Sequence, residues 1–140
     1  MKDNIFALLV HDHTKHFNEL EGMLKDLSVE TWNIEHSNSA GELTSQYKPD
    51  LVFIESTVWD RLHKQLGGLA KKADRALDII VVGTRLDINL YVSSIERGAA
   101  GFIAPPFKYE GLSTIVHSAA MSAHKLLVAM PQAVAARLHS

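Results

Sequence analysis

Pro49-Asp50-Leu51-Val52-Phe53-Ile54-Glu55 is the stretch whose reading decides the fold. Leu51 to Ile54 is an unbroken apolar run, with Lys48-Pro49 before it and polar residues after it. Such a run suits a strand covered on both faces by helices. In open α/β sheets, chemistry collects at the carboxyl ends of the strands, and Glu55 sits at that end.

Upstream, Ile5 to Val10 is a second apolar run and a first buried strand. His11-Asp12-His13 follows, and Thr14 is placed to cap a helix over 15–27. Phe17, Leu20, Met23, Leu24 and Leu27 give that helix one apolar face. Val29 to Glu35 reads as a shorter, edge-like strand. Asn38-Ser39 opens a second helix that runs to Tyr47, before Pro49. Downstream, a third helix is expected over Val58 to Ala73 and a strand over Asp78 to Val82. A fourth helix spans Ile88 to Arg97, ended by Gly98. A short strand covers Gly101 to Ala104, and a long helix runs from Glu110 to Met130. Strands alternating with helices five times imply right-handed crossovers and a parallel doubly wound α/β sheet. The flavodoxin-like order 2-1-3-4-5 is expected, which brings Asp12 and Glu55 to one crevice.

Composition narrows the function. The chain of 140 residues suits a single domain, and 14 basic against 16 acidic residues leave a formal charge of -2. No basic excess points to nucleic acid, so direct nucleic-acid binding is not expected. With no cysteine, disulfides and thiolate metal sites are excluded. No apolar stretch reaches membrane-spanning length and no signal-peptide pattern opens the chain, so a cytoplasmic protein without membrane association is expected. There is no Gly-x-Ser-x-Gly elbow, Gly-rich phosphate loop or dinucleotide fingerprint, which argues against an enzyme.

Four blocks carry a resemblance: Val10-His11-Asp12, Pro49 to Glu55, Asp78 to Val82, and Gly98-Ala99-Ala100-Gly101-Phe102-Ile103-Ala104-Pro105-Pro106-Phe107. Over residues 4–124 the chain resembles the receiver domain of two-component response regulators. That resemblance implies phosphoryl transfer from a histidine kinase to an aspartate, with Mg²⁺ held by acidic residues. Position by position, most of the implied machinery is replaced. Glu55 stands at the phosphoacceptor position. The acidic pair after the first strand is His11-Asp12. Gly83 replaces the hydroxyl residue after the fourth strand, with Thr84 beside it. Pro105 replaces the lysine of the last loop. Phe102 keeps the switch aromatic.

Each replacement has a chemical meaning. Mg²⁺ takes octahedral oxygen ligands; Asp12 and Glu55 supply two carboxylates, and a neutral His11 is a poor ligand for it. Pro105 offers neither an ammonium nor a backbone N–H to a phosphoryl group. No cofactor is therefore expected, with Mg²⁺ at Asp12 and Glu55 as the weak alternative. Glu55 is either an inert remnant or a mimic of the phosphorylated state, and Arg85 is the cation that mimicry would recruit. His11, His13 and His16 around Asp12 raise Zn²⁺ or Ni²⁺, without a ligand-spacing motif, so a polar crevice lining is the preferred reading.

The expected function is a degenerate, non-enzymatic receiver acting through protein contacts. Residual phosphate acceptance, or metal or small-molecule binding at the Asp12/Glu55 crevice, are the alternatives. Residues 1–124 form the receiver-like domain, and 125–140 a helical extension or linker to an output domain, such as that of a transcriptional regulator. In the family, the face made by the helix over 88–97, the strand over 101–104 and the helix over 110–130 commonly serves association. Leu90, Tyr91, Phe102, Leu126 and Leu127 are the candidates there for a homodimer or a protein partner.

Overall fold

Five parallel strands form one sheet in the order β2-β1-β3-β4-β5 in a computed structural model. Residues 5–12, 15–35, 48–72 and 77–129 are described, with the backbone alone for 67–72 and 122–129. The strands are β1 (Phe6–His11), β2 (Glu30–Glu35), β3 (Leu51–Glu55), β4 (Asp78–Val82) and β5 (Gly101–Ile103). The helices among the described residues are α1 (Lys15–Asp26), α2 (Ser56–Lys72), α3 (Ile88–Glu96) and α4 (Tyr109–Ala129). The expected flavodoxin-like order is the observed one. The helix expected over 38–47 lies outside the described residues.

Alternation in the central strands builds two cores. Ala7, Leu9, Leu51, Phe53, Ile80 and Val82 point to the side covered by Phe17, Leu20 and Leu24 of α1 and Leu112 and Ala119 of α4. Leu8, Val10, Val52, Ile54, Ile79 and Val81 point the other way, onto Val58, Trp59, Leu62 and Leu66 of α2. Residues 51–54 are wholly buried, as a strand covered on both faces must be. The edge strand β2 buries only Ile34.

Asp50 fixes the entrance of this sheet. It is buried, and its carboxylate accepts the Phe6 N–H at 2.9 Å. Its own N–H donates to the Phe6 carbonyl at 2.8 Å. The buried polar group is thus satisfied, and β1 is held in register with β3. At the other end, Val10 lies opposite Ile54, which brings the residues after β1 beside Glu55.

One helix starts earlier than its sequence suggests. Ser56 and Thr57 look like a connecting loop, yet α2 begins at Ser56 with no residue between it and β3. α3 is capped as expected at its end: Gly98 has φ +105°, where a side chain would be strained. At its start the Asp87 carboxylate accepts the Leu90 N–H.

Candidate functional site

Glu55 and Asp12 meet at the carboxyl end of the sheet. The Asp12 backbone N–H donates to Glu55 Oε1 at 2.8 Å. The Asp12 carboxylate pairs in turn with Arg61, Nη1 to Oδ2 at 3.3 Å. Arg61 is on the second turn of α2. Helical side chains lean toward their helix N-terminus, so an arginine there reaches back over the strand ends. The missing β3–α2 connection makes that reach short.

His11 is buried and turned toward β2. Its ring stacks on Phe17, with centroids 4.5 Å apart, and Nε2 lies 3.0 Å from Asn33 Oδ1. Asn33 Nδ2 donates to Glu21 Oε2 at 2.6 Å, which fixes the amide with its oxygen toward the imidazole. Nε2 of His11 therefore carries a proton and donates. Thr31 donates to the same Glu21 oxygen at 3.2 Å. Of the expected acidic pocket, Asp12 addresses Glu55 and Arg61, while His11 joins β1 to β2 and α1. His13 lies outside the described residues.

Gly83 and Phe102 fit each other. A Cβ on Gly83 would stand 2.7 Å from Phe102 Cζ, closer than real contacts allow. The ring fills the space that a larger residue after β4 would need. It also meets Tyr91 of α3 edge-on, with centroids 6.4 Å apart. β4 ends at Val82, so Thr84 lies past the strand, where it is exposed. Arg85 is exposed too, and the cation met at the crevice is Arg61 instead. Pro105 is half-buried beyond β5.

The surface beside Phe102 is apolar. Ser94 is the buried side chain of α3, and its hydroxyl donates to the Leu90 carbonyl at 2.7 Å. Leu86 and Ile88 are 79% and 77% exposed, and Tyr91, Val92 and Ile95 are exposed beside them. Leu90 is half-buried. Leu126 and Leu127 fall on the part of α4 whose side chains are outside the described residues.

A divalent cation fits this crevice poorly. Of the two carboxylates on hand, Asp12 already faces a guanidinium and Glu55 already accepts an N–H. A hard, octahedral ion would need further oxygen ligands beside these two carboxylates. Among the described residues no group of three or more His, Asp or Glu is arranged for a metal. Nor is any described helix long and apolar enough to cross a membrane.

No family model matches the chain. No curated protein matches it either. Solved structures do. NtrX from Brucella abortus, in a complex with ADP, superposes with a TM-score of 0.68 at 25% identity over 96% of this chain. The signal receiver domain of a putative Luxo repressor protein from Vibrio parahaemolyticus gives 0.69 at 21% identity, covering 86% of this chain and 93% of that one. A response regulator from Thermotoga maritima gives 0.66 at 18% identity, covering 82% and 97%. Sheet order and these likenesses together define the receiver-domain fold of response regulators. The chain spans 29% of the NtrX chain, so it corresponds to one part of that longer protein.

Proposed function

We propose that this chain is a signalling receiver of degenerate type, which works by protein contacts rather than by phosphorylation of an aspartate. Glu55 occupies the acceptor position, and its charge is answered within the molecule by the Asp12 N–H. Catalysis and a bound cofactor are not part of this function.

The observation that carries the proposal is the inverted exposure of α3. A helix of nine residues buries a serine and leaves Ile88, Tyr91, Val92 and Ile95 in water, with Leu86 just before it. Contiguous exposed apolar side chains on a soluble domain mark an interaction surface. Phe102, seated on Gly83 and touching Tyr91, gives this surface a fixed shape without any phosphoryl signal. The partner is a second copy of the chain or an output module, met through α3, β5 and α4, with Leu90, Leu126 and Leu127 as further contributors.

The test is intact mass after incubation with acetyl phosphate and Mg²⁺, alongside light scattering over a concentration series. An unchanged mass and self-association that weakens in Ile88→Asp are the expected results. A stable gain of one phosphoryl group overturns the proposal.

A further inference from the structure

Charge is unevenly spread over this chain, and α2 holds its positive end. We infer that the outward stripe of α2 is a docking surface for an acidic segment of a partner protein, separate from the apolar surface of α3.

Residues 61–72 contain four basic residues, Arg61, Lys64, Lys71 and Lys72, and no acidic one. The rest of the chain has 10 basic against 16 acidic residues, a formal charge of -6. A patch of one sign set in a surface of the other steers and orients an oppositely charged partner.

Helix geometry gathers these residues. At about 100° of turn per residue, positions 61, 64, 71 and 72 of α2 fall within about 100° of arc, along roughly 16 Å of axis. Val58, Trp59, Leu62 and Leu66 occupy the far side and are buried against the sheet. The basic positions therefore lie away from the core, and Arg61 and Lys64 are exposed there. Gly67 and Gly68 stand between the two basic pairs. Having no side chains, they let another backbone come close to the helix between the cations.

Ion pairs within the domain leave the stripe positive. Asp60, four residues before Lys64, is in place for a pair along the helix. Its Oδ1 instead meets Arg97 Nη1 at 2.6 Å, at the end of α3. Arg61 shares its guanidinium with Asp12 at 3.3 Å. Recognition therefore falls to Lys64, Lys71 and Lys72.

Size and surroundings choose the partner. A stripe of roughly 16 Å matches about three turns of helix or about five residues of extended chain. A nucleic acid or a lipid surface would reach past α2 onto a domain that is otherwise negative, and be repelled there. A short acidic peptide touches the stripe alone.

The probe is a fluorescein-labelled oligo-glutamate peptide, titrated with full-length chain and followed by fluorescence anisotropy at low and at physiological ionic strength. Binding that weakens with salt is expected. The triple variant Lys64→Gln, Lys71→Gln, Lys72→Gln is expected to bind about tenfold more weakly, and the same three changes to Arg to leave binding as it is. Cations in the last turn also steady a helix. Lys64→Gln alone, in mid-helix, is therefore the second variant, with an expected loss of about two- to threefold and an unchanged urea midpoint. Lys15→Gln on α1, across the sheet, should leave binding unchanged. No binding by the unmodified chain, equal affinity in it and both glutamine variants, or an equal loss in Lys15→Gln overturns the inference. Tighter binding of an oligodeoxynucleotide of the same charge also overturns it, in favour of nucleic acid. None of these readings depends on phosphoryl uptake or on self-association through α3, so the proposed function stands or falls separately.

Discussion

The crevice at Glu55 and the surface of α3 are finished in opposite ways. In the crevice the chain itself supplies an amide to Glu55 and a guanidinium to Asp12. On α3 the apolar side chains of Ile88, Tyr91, Val92 and Ile95 stand in solvent. Polar groups left unsatisfied inside a protein invite ligands, and apolar groups left uncovered outside invite partners. The proposed function rests on this contrast between a crevice contacted from within the chain and an apolar surface left in solvent. Gly83 and Phe102 sit where the two regions meet, since Phe102 touches both Gly83 and Tyr91.

The largest effect is expected at that junction. Gly83→Thr drives a Cβ into the Phe102 ring, where only 2.7 Å is available. Overpacking of this kind costs about 1–3 kcal/mol, read as a shift of the urea midpoint. Phe102→Ala in the same chain should recover part of that loss, because the ring is the nearest obstacle and only the Arg85 carbonyl, 3.3 Å away, remains. Additive losses would mean that the two positions are not coupled, and the crevice and the surface would then be independent.

Next comes the crevice itself. Glu55→Ala removes the acceptor of a part-buried N–H and should cost about 1 kcal/mol, with Glu55→Gln costing less because an amide oxygen remains. Neither change should alter self-association. A shift in association with either one would make Glu55 an active mimic whose charge is read at α3. On the other side of the comparison, Ile88→Asp should leave stability within about 0.5 kcal/mol, since the side chain is 77% exposed. Its effect belongs to association, measured by light scattering. A large loss of stability instead would mean that Ile88 packs within its own domain.

What the sequence disclosed follows the same division. The central strands were legible because runs such as Leu51 to Ile54 are apolar at every position, which only two-sided burial explains. Glu55 and Asp12 followed from strand order alone. Arg61 did not, because Ser56-Thr57 reads equally as a loop, and only the absence of a connection puts residue 61 within reach of Asp12. Arg85, just past β4, was the candidate cation for Glu55, whereas the pairing that forms joins Arg61 to Asp12, 49 positions apart. Asp50 stood in the deciding stretch without a role of its own, and its bond to Phe6 is a property of the assembled sheet. The fit of Phe102 over Gly83 is complementarity in space, for which no local pattern exists.

The smallest effect sharpens the electrostatic half of the comparison. Asp78, at the start of β4, is a carboxylate that burial raises above its usual pKa, and no counter-charge among the described residues offsets this. Asp12, by contrast, has Arg61. A carboxyl raised in the folded state holds its proton more tightly there than in the unfolded chain. Its burial therefore costs nothing below the unfolded pKa. The cost grows as pH rises from that value to the raised one, and stays constant above it. Asp78→Asn removes the charge and should raise stability slightly at neutral pH. The gain should vanish in acid, where the native carboxyl is protonated in both states. Urea midpoints of the two proteins at neutral and acidic pH measure this directly. A gain independent of pH would mean that shape or hydrogen bonding separates Asp78 from asparagine, and that a partly buried carboxylate of this sheet tolerates its charge without an arginine.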